Sequence, residues 1–218
     1  MASTFIPDLH AEQELANFLD KFFYNKVNEI SNTKRIKNDK EQYEGIDIMG
    51  EYNASTIFID EKGYLSIPNL GPTFALEVSF LNQDKKRVEG WLFDSNKKTT
   101  HYLLCWNKRN KYIKHKDVKE HDFYYITAML IERTTLHQYL KDKLSITQSS
   151  VKEDIDDILK NNRKGSGPKI NNNSSAKYYY SSHLDEKPIN IVISKKELAD
   201  ISLLYKVVKR SGVSNANY

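Results

Sequence analysis

The sequence contains a single cysteine, Cys105, and this excludes two classes of protein. One cysteine can form neither an internal disulfide framework nor a cysteine-based zinc site. Cys105 lies within the apolar residues 102–106, where a thiol behaves as a small hydrophobic side chain. We therefore predict that it packs in the core and is not a nucleophile.

Other signals are also missing. No apolar run approaches the length of a membrane span, and the first residues lack the basic and apolar segments of a signal peptide. No Walker A motif and no GxGxxG motif occurs, and the histidines show no metal-type spacing. We expect a cytoplasmic protein without a membrane partner, and neither a nucleotide-hydrolysing motor nor a dinucleotide enzyme.

The composition is that of a globular chain with polar segments. Its 218 residues allow one domain with a good core, or one domain and an appendage. The net charge of +4 permits binding to nucleic acid without requiring it. Frequent Asn, Lys, Ile and Tyr are typical of an AT-rich genome, such as that of a bacterium or a phage.

The clearest helix is predicted over residues 9–30, from apolar residues at helical spacing. Glu12 falls on the same side of it as Leu15 and Leu19, so its carboxylate could face inward. The alternative is a solvated acid in the first turn, which favours the helix dipole. Residues 31–42 follow as a charged, loop-like segment.

A β-hairpin is predicted next, with arms at residues 43–50 and 56–62. Alternation along the second arm puts Asp60 and Lys62 on one face and Glu61 on the other. Together with Asp47 on the first arm, this combines two carboxylates that could hold a divalent cation with a lysine that could orient or deprotonate water. The alternative is ordinary turn chemistry at an exposed strand end.

The order of a helix containing Glu12, then Asp47, then Asp60-x-Lys62 resembles the PD-(D/E)XK nuclease superfamily. The resemblance covers roughly residues 8–107. It departs from the family motif at Ile46, which precedes Asp47 in place of proline; many members also lack that proline. The fold it implies is α/β: a restriction-endonuclease-like core with a central mixed β-sheet of about five strands flanked by helices.

The resemblance also implies a site for Mg²⁺ or Mn²⁺. Asp47 and Asp60 would be metal ligands, and the backbone carbonyl of Glu61 would complete the shell. Lys62 would position the attacking water, and Glu12 would be an optional catalytic carboxylate. A competing placement of the motif is Glu77-Val78-Ser79, with serine in place of lysine. Glu77 lies in an apolar run and is either an additional ligand or part of a buried ion pair.

Several basic residues are candidate contacts to a nucleic-acid backbone, although charge runs are commonly just solvated. Residues 107–122 form the densest cationic stretch, and residues 97 and 98 flank a predicted strand. The candidates are Lys97, Lys98, Lys108, Arg109, Lys111 and Lys114.

Three regions are predicted. Residues 1–143 form the nuclease-like core, and the Asn/Ser/Lys-rich residues 144–187 form a flexible connection with a short helix at 151–160. Residues 188–218 add a strand and then a helix, opened by a capping box at Ser194 and Glu197 and running through Val208, that pack on the core. The tyrosines at 178–180 would form a strand against the core or stack on bases.

The function expected from the resemblance is a Mg²⁺-dependent deoxyribonuclease of restriction, phage or defence type. It would act as a homodimer if both strands of DNA are cut. The first alternative is a non-catalytic nucleic-acid-binding or protein-interaction module on the same fold. A further alternative, an inhibitor or assembly protein, would have no affinity for nucleic acid.

Overall fold

The computed structural model describes residues 5–216, and its description of side chains excludes residues 5–8, 39 and 40. The chain forms two compact units, each built from separate stretches of sequence. The first unit comprises the described residues up to Gly71, Lys97–Arg133 and the residues from Ser202 onward. The second unit comprises Pro72–Asn96 and Thr134–Ile201.

Five α-helices and twelve strands are described between residues 5 and 216. The helices are α1 (Phe5–Leu19), α2 (Asp39–Tyr43), α3 (Arg133–Leu144), α4 (Ser150–Lys160) and α5 (Lys195–Asp200). The strands are β1 (Ile30–Arg35), β2 (Ile48–Tyr52), β3 (Ser55–Tyr64), β4 (Thr73–Leu81), β5 (Arg87–Glu89), β6 (His101–Arg109), β7 (Phe123–Glu132), β8 (Gly165–Lys169), β9 (Lys177–Tyr180), β10 (Ile189–Ser194), β11 (Leu204–Lys209) and β12 (Gly212–Asn215). None of these helices has both the length and the apolar character needed to cross a membrane.

The first unit is built on a seven-stranded mixed sheet with the order β1-β2-β3-β6-β7-β11-β12. β3 and β6 are parallel, and the other neighbouring strands are antiparallel. The mixed α/β class is confirmed, but the sheet exceeds the predicted five strands. One added strand is β1, in residues predicted to be a loop. It is a polar edge strand in which only Ile30 is buried, so apolar alternation could not reveal it.

The core of this unit forms between α1 and the sheet. Leu15, Phe18 and Leu19 of α1 are buried, and Cys105 of β6 is buried as predicted. The predicted helix over 9–30 is too long, because α1 ends at Leu19 and a π-helical turn, Asp20–Tyr24, follows it. Buried apolar residues continue beyond that turn to Ile30, which explains why the helical pattern extended too far.

The second unit contains a five-stranded antiparallel sheet with the order β5-β4-β10-β9-β8. The short helix predicted at 151–160 is present as α4, whereas other residues of the stretch 144–187, predicted to be a flexible connection, form β8 and β9. α4 is anchored by buried Val151, Ile155 and Ile158. The tyrosines at 178–180 lie in β9, as one of the two readings predicted, and Tyr180 is buried. Residues 91–93 form a turn.

The predicted C-terminal helix is correct at its start and wrong at its end. Ser194 caps α5 by accepting a hydrogen bond from the backbone N–H of Glu197. α5 stops at Asp200, and the following residues form β11, which pairs with β7 in the first unit's sheet. Leu204 and Val208 are four residues apart, a spacing that fits one face of a strand as well as one face of a helix.

Candidate active site

The β2–β3 hairpin positions the predicted carboxylates. A two-residue turn, Asn53-Ala54, joins the strands, and both residues have positive φ, as a type I′ turn requires. Asp47 immediately precedes β2, and its backbone N–H donates to the carbonyl of Ile59 at 2.9 Å. This fixes Asp47 beside Asp60, the next residue of β3.

Asp60, Glu61 and Lys62 lie within β3 and not at its end, which corrects the sequence prediction. The strand continues to Tyr64 and pairs with β6 on its other edge, where Asp60 faces Tyr102. Asp60 is therefore buried, with 3% of its surface exposed. An exposed turn, the alternative drawn from sequence, does not describe this carboxylate.

The face shared by Asp60 and Lys62 is a compact charged group. Lys62 Nζ lies 2.7 Å from Asp60 Oδ1. Asp47 Oδ2 accepts a hydrogen bond of 2.7 Å from the backbone N–H of Glu61, and the Asp47 carboxyl is also within hydrogen-bonding reach of Asp60. Two carboxyl groups and one ammonium group thus meet at the start of β2 and the middle of β3.

Burial and neighbouring charges both shift the pKa values of this group. Burial raises the pKa of Asp60, the Lys62 ammonium lowers it and the Asp47 carboxylate raises it, with a result of about 7. For Lys62, burial lowers the pKa, but the charges of Asp60 and Asp47 more than offset this and leave it above its ordinary value. Lys62 is therefore a cation at neutral pH, which suits it to electrostatic work more than to removing a proton from water.

Glu61 points to the opposite face, as predicted, and its carboxylate belongs to a separate buried network. Arg35 donates to both Glu61 carboxylate oxygens at 2.9 Å, and to Asp20 at 2.7 Å. Tyr24 donates its hydroxyl to Glu61 at 2.8 Å. Burial raises the pKa of Glu61, while the hydrogen bonds and charge of Arg35 lower it. The Glu61 side chain is thus a structural ligand of Arg35, and only its backbone carbonyl stays available for the predicted metal role.

Glu12 and Asp47 line a polar pocket of about 330 Å³, together with Arg35, Gln42 and Glu61. Glu12 is exposed on α1, and its charge contributes to the raised pKa of Lys62. The structure therefore brings the four predicted catalytic residues, Glu12, Asp47, Asp60 and Lys62, into one electrostatic neighbourhood.

Mg²⁺ fits the chemistry of this group. Among the side chains that the structure describes, those of residues 9–38 and 41–216, no group of three or more His, Cys, Asp or Glu could hold a metal ion, so a cage made only of side chains is not described. Mg²⁺ commonly binds through one or two carboxylates and keeps several waters. Asp47 and Asp60 supply that number of carboxylates, and their oxygen donors match the preference of this ion.

Glu77, the fifth predicted acidic residue, lies on β4 in the second unit. Its neighbours there include Gly90 and Arg87; burial lowers the pKa of Arg87, and the charge of Glu77 only partly offsets this. Its part in a metal site stays a prediction.

The six basic candidates differ in their surroundings. Arg109 is 3% exposed and donates to the carbonyls of Leu65 and Ile67, so the predicted phosphate contact is wrong for this residue. Lys111 and Lys114 are exposed, and Lys108 donates to Asn69 at 2.9 Å. For these three lysines, and for Lys97 and Lys98, contact with nucleic acid stays a prediction.

The loop before Asp47 is anchored to the residues before β6, an arrangement that the sequence did not reveal. Lys97 donates its ammonium group to the carbonyl of Tyr43. Lys98 pairs with Glu44, with Nζ and Oε2 2.9 Å apart, and the Thr99 hydroxyl donates to the carbonyl of Gly45 at 2.7 Å. The one local hint in the sequence is Gly45 itself, because the backbone has positive φ there and glycine favours that conformation.

Comparison of the chain with models of protein families, with curated proteins and with solved structures finds no match. A function for this protein is therefore inferred from Asp47, Asp60 and Lys62 and from the side chains around them.

Proposed function

We propose that the protein is a Mg²⁺-dependent nuclease that hydrolyses phosphodiester bonds in DNA. The observation that carries the proposal is the adjacency of the Asp47 and Asp60 carboxyl groups, with Lys62 Nζ 2.7 Å from Asp60. Carboxylates that bind a metal and a cation that faces a phosphate are the two elements that such a reaction needs.

The burial of Asp60 supports a functional role over a purely structural one. A carboxylate with 3% exposure is costly to ionise, and a second carboxyl group beside it increases that cost. Perturbed acids held against a like charge are concentrated at functional sites, although structural ion pairs also produce them. Of the two proposed ligands, Asp47 lines a polar pocket, which it shares with Glu12.

Each residue then has a role. Asp47 and Asp60 would hold Mg²⁺ through their carboxylate oxygens, with the carbonyl of Glu61 as a further donor. When bound, the ion would lower the pKa of a coordinated water and offset charge on the phosphate. Lys62, as a cation, would hold the attacking water or a non-bridging phosphate oxygen by hydrogen bonding. Glu12, on α1 at the rim of the pocket, would be the optional catalytic carboxylate.

The arrangement of elements is compatible with a restriction-endonuclease-like core, which is part of the proposal. A hairpin bears the acids, its second strand continues into a parallel pairing with β6, and a helix packs on the same sheet. The resemblance to the PD-(D/E)XK superfamily in the order Glu12, Asp47, Asp60-x-Lys62 agrees with this placement.

The test is a cleavage assay with Mg²⁺ or Mn²⁺ on supercoiled plasmid, linear duplex and single-stranded DNA. The wild-type chain is compared with Asp60→Asn, which keeps the shape of the side chain and removes its charge. Asp84→Asn is the matched control, because Asp84 is exposed in the turn between β4 and β5. We expect metal-dependent cleavage that is reduced at least about a hundredfold by Asp60→Asn and is unchanged by Asp84→Asn.

Circular dichroism and thermal unfolding of each variant show whether the fold is retained. Cleavage by folded Asp60→Asn at the wild-type rate would exclude this site. Absence of cleavage by the wild-type chain on every substrate would instead favour the non-catalytic binding module, with Asp47 and Asp60 as structural residues.

A further inference from the structure

Tyr43 is a large aromatic side chain left open to solvent close to the candidate active site. Its exposure is 79%, and it ends α2, four positions before Asp47. Aromatic side chains normally gain stability by burial, so an exposed ring on a well-anchored backbone keeps a large apolar surface available to a partner.

The backbone that carries Tyr43 is fixed. The Tyr43 carbonyl accepts from Lys97, the Glu44 carbonyl accepts from the backbone N–H of Lys98 at 2.8 Å, and the Gly45 carbonyl accepts from Thr99. Three successive carbonyls are thus bound to three successive residues of the segment before β6. The ring is therefore presented from a set position.

The backbone that follows Tyr43 is close to the Asp60 carboxyl group. A β-carbon built at Gly45 would lie 3.6 Å from Asp60 Oδ2 and 3.0 Å from Cδ of Lys97. Tyr43 is two residues from Gly45, and two residues span at most about 7 Å. Adjacent nucleotides of one strand could therefore meet the Tyr43 ring and the carboxylates together.

Charge supports a nucleic-acid contact at this ring. Lys97 Nζ lies 5.1 Å from the centroid of the Tyr43 ring, so a cation accompanies the aromatic surface. Exposed aromatic rings beside lysines bind single strands by stacking on the bases while the cations contact the phosphates. In a duplex the faces of each base are already stacked on its neighbours, so a surface ring reaches a base face only where the base is unpaired or terminal.

We propose that Tyr43 and Lys97 form a stacking platform for an unpaired nucleobase, so that the site takes single-stranded DNA or an unpaired strand end. This names the substrate class of the proposed nuclease, and it depends on that function for its biological meaning. The stacking itself is a binding property that can be measured without cleavage.

The experiment measures binding of fluorescently labelled oligo(dT), alone or annealed to oligo(dA), by anisotropy. Ca²⁺ replaces Mg²⁺ so that turnover does not interfere. The variants are Tyr43→Leu, which removes the ring, and Tyr43→Phe, which keeps it. Tyr112→Leu is the matched control, because Tyr112 is 80% exposed and has Lys111 Nζ 5.0 Å from its ring centroid, but follows the far end of β6.

We expect Tyr43→Leu to weaken oligo(dT) binding about tenfold, and Tyr43→Phe and Tyr112→Leu to change it by less than about twofold. Binding to the annealed duplex should change by less than about twofold in all three variants. Tyr43→Trp adds a spectroscopic signature: its fluorescence should be quenched by oligo(dT) beyond the change in the wild-type chain, whose own tryptophans are the partly buried Trp91 and the buried Trp106.

Equal binding of oligo(dT) by wild type and Tyr43→Leu, an equal loss on duplex DNA, or no binding by the wild type would overturn the stacking platform. If the wild type cleaves DNA with Mg²⁺ while Tyr43→Leu binds oligo(dT) normally, the nuclease stands and the platform is wrong. If oligo(dT) binds through Tyr43 but no metal supports cleavage, the platform stands and the nuclease is wrong.

Discussion

Lys62 Nζ lies 2.7 Å from Oδ1 of Asp60, and the two residues share one face of β3. The pKa of Lys62 is raised by the charges of Asp60 and Asp47 in spite of its burial, so this side chain carries a positive charge at neutral pH. The distinction matters for the proposed reaction, because a permanently charged lysine stabilises charge and orients water, whereas a lysine acting as a base must be neutral.

The role of Lys62 can be tested with two substitutions. Lys62→Arg keeps the charge and should retain activity within about tenfold of wild type. Lys62→Met keeps the length without the charge and should lose at least about a hundredfold in kcat. Equal loss in both variants, measured at saturating DNA with the fold verified by circular dichroism, would contradict an electrostatic role and favour proton transfer by the amine.

Gly45→Ala should damage the site through the backbone. Gly45 has φ of +77°, and an added β-carbon would lie 2.6 Å from the Thr99 hydroxyl oxygen. We expect the free energy of unfolding to fall by about 1–3 kcal/mol, because the left-handed conformation and the close contact both become strained. We also expect DNA cleavage to fall, because the same loop leads into Asp47.

The free energy of unfolding is measured by urea unfolding, with Gly167→Ala as the control. A β-carbon at Gly167 would meet nothing closer than 3.4 Å, so its effect should be small. A Gly45→Ala protein as stable as the Gly167→Ala protein would show that the loop relaxes at little cost.

The buried ion pair of Arg35 with Glu61 should stabilise the fold strongly only while both charges are present. Arg35→Met leaves the Glu61 carboxylate, 6% exposed, without its main cation, and should reduce the free energy of unfolding by about 3–5 kcal/mol. The double variant Arg35→Met/Glu61→Met removes both buried charges and should be less destabilised than Arg35→Met alone. Urea unfolding measures both.

Lys21→Met is the matched control for Arg35→Met, because it breaks a charge pair near the surface. Lys21 pairs with Glu120 at 2.9 Å, but 58% of its side chain is exposed, so its loss should cost less than about 1 kcal/mol. A double variant that is no more stable than Arg35→Met would mean that the cost comes from lost packing and not from an uncompensated charge.

Glu197 should make the stability of the second unit depend on pH. Burial raises its pKa, but hydrogen bonds from Ser174, Ser175 and Tyr139 outweigh this and lower the pKa to about 2. A carboxyl group with a lowered pKa in the folded state stabilises the fold above its unfolded pKa, and this contribution disappears as pH falls towards the folded pKa.

Glu197→Gln should therefore reduce stability by about 1–2 kcal/mol near about pH 6, a value below the full shift because the carboxyl group is partly solvated. Near about pH 3 the difference from wild type should be smaller. Urea unfolding of both proteins across this range measures the difference, with the exposed Glu153→Gln as control. A difference that does not vary with pH would contradict the role of charge in this network.

The sequence predicts the parts of the fold that carry a local apolar signal. The β2–β3 hairpin alternates in the usual way and was predicted, and β6 and β7 are runs of buried residues of the kind that a local apolar pattern indicates. β8 has the sequence Gly-Ser-Gly-Pro-Lys, which has no strand signal, and it forms a strand by pairing with β9. Its structure comes from a partner and not from its own residues.

The candidate site was likewise predictable only where it depends on a local pattern. Alternation places Asp60 and Lys62 on one face and Glu61 on the other, as the structure does. The partner of Glu61 was not predictable, because Arg35 reaches it only through the pairing of β1 with β2. The burial of Asp60 likewise depends on β6, which lies far along the chain and covers the outer edge of β3.

The interleaving of the two units affects how the chain acquires this site during synthesis. β3 leaves the ribosome with one edge unpaired and must wait for β6, because Pro72–Asn96 of the second unit is translated between them. β11, the second neighbour of β7, follows only after Thr134–Ile201. A nascent chain that stalls before β6 would expose the open edge of β3, a site for aggregation, and would leave Asp60 uncovered.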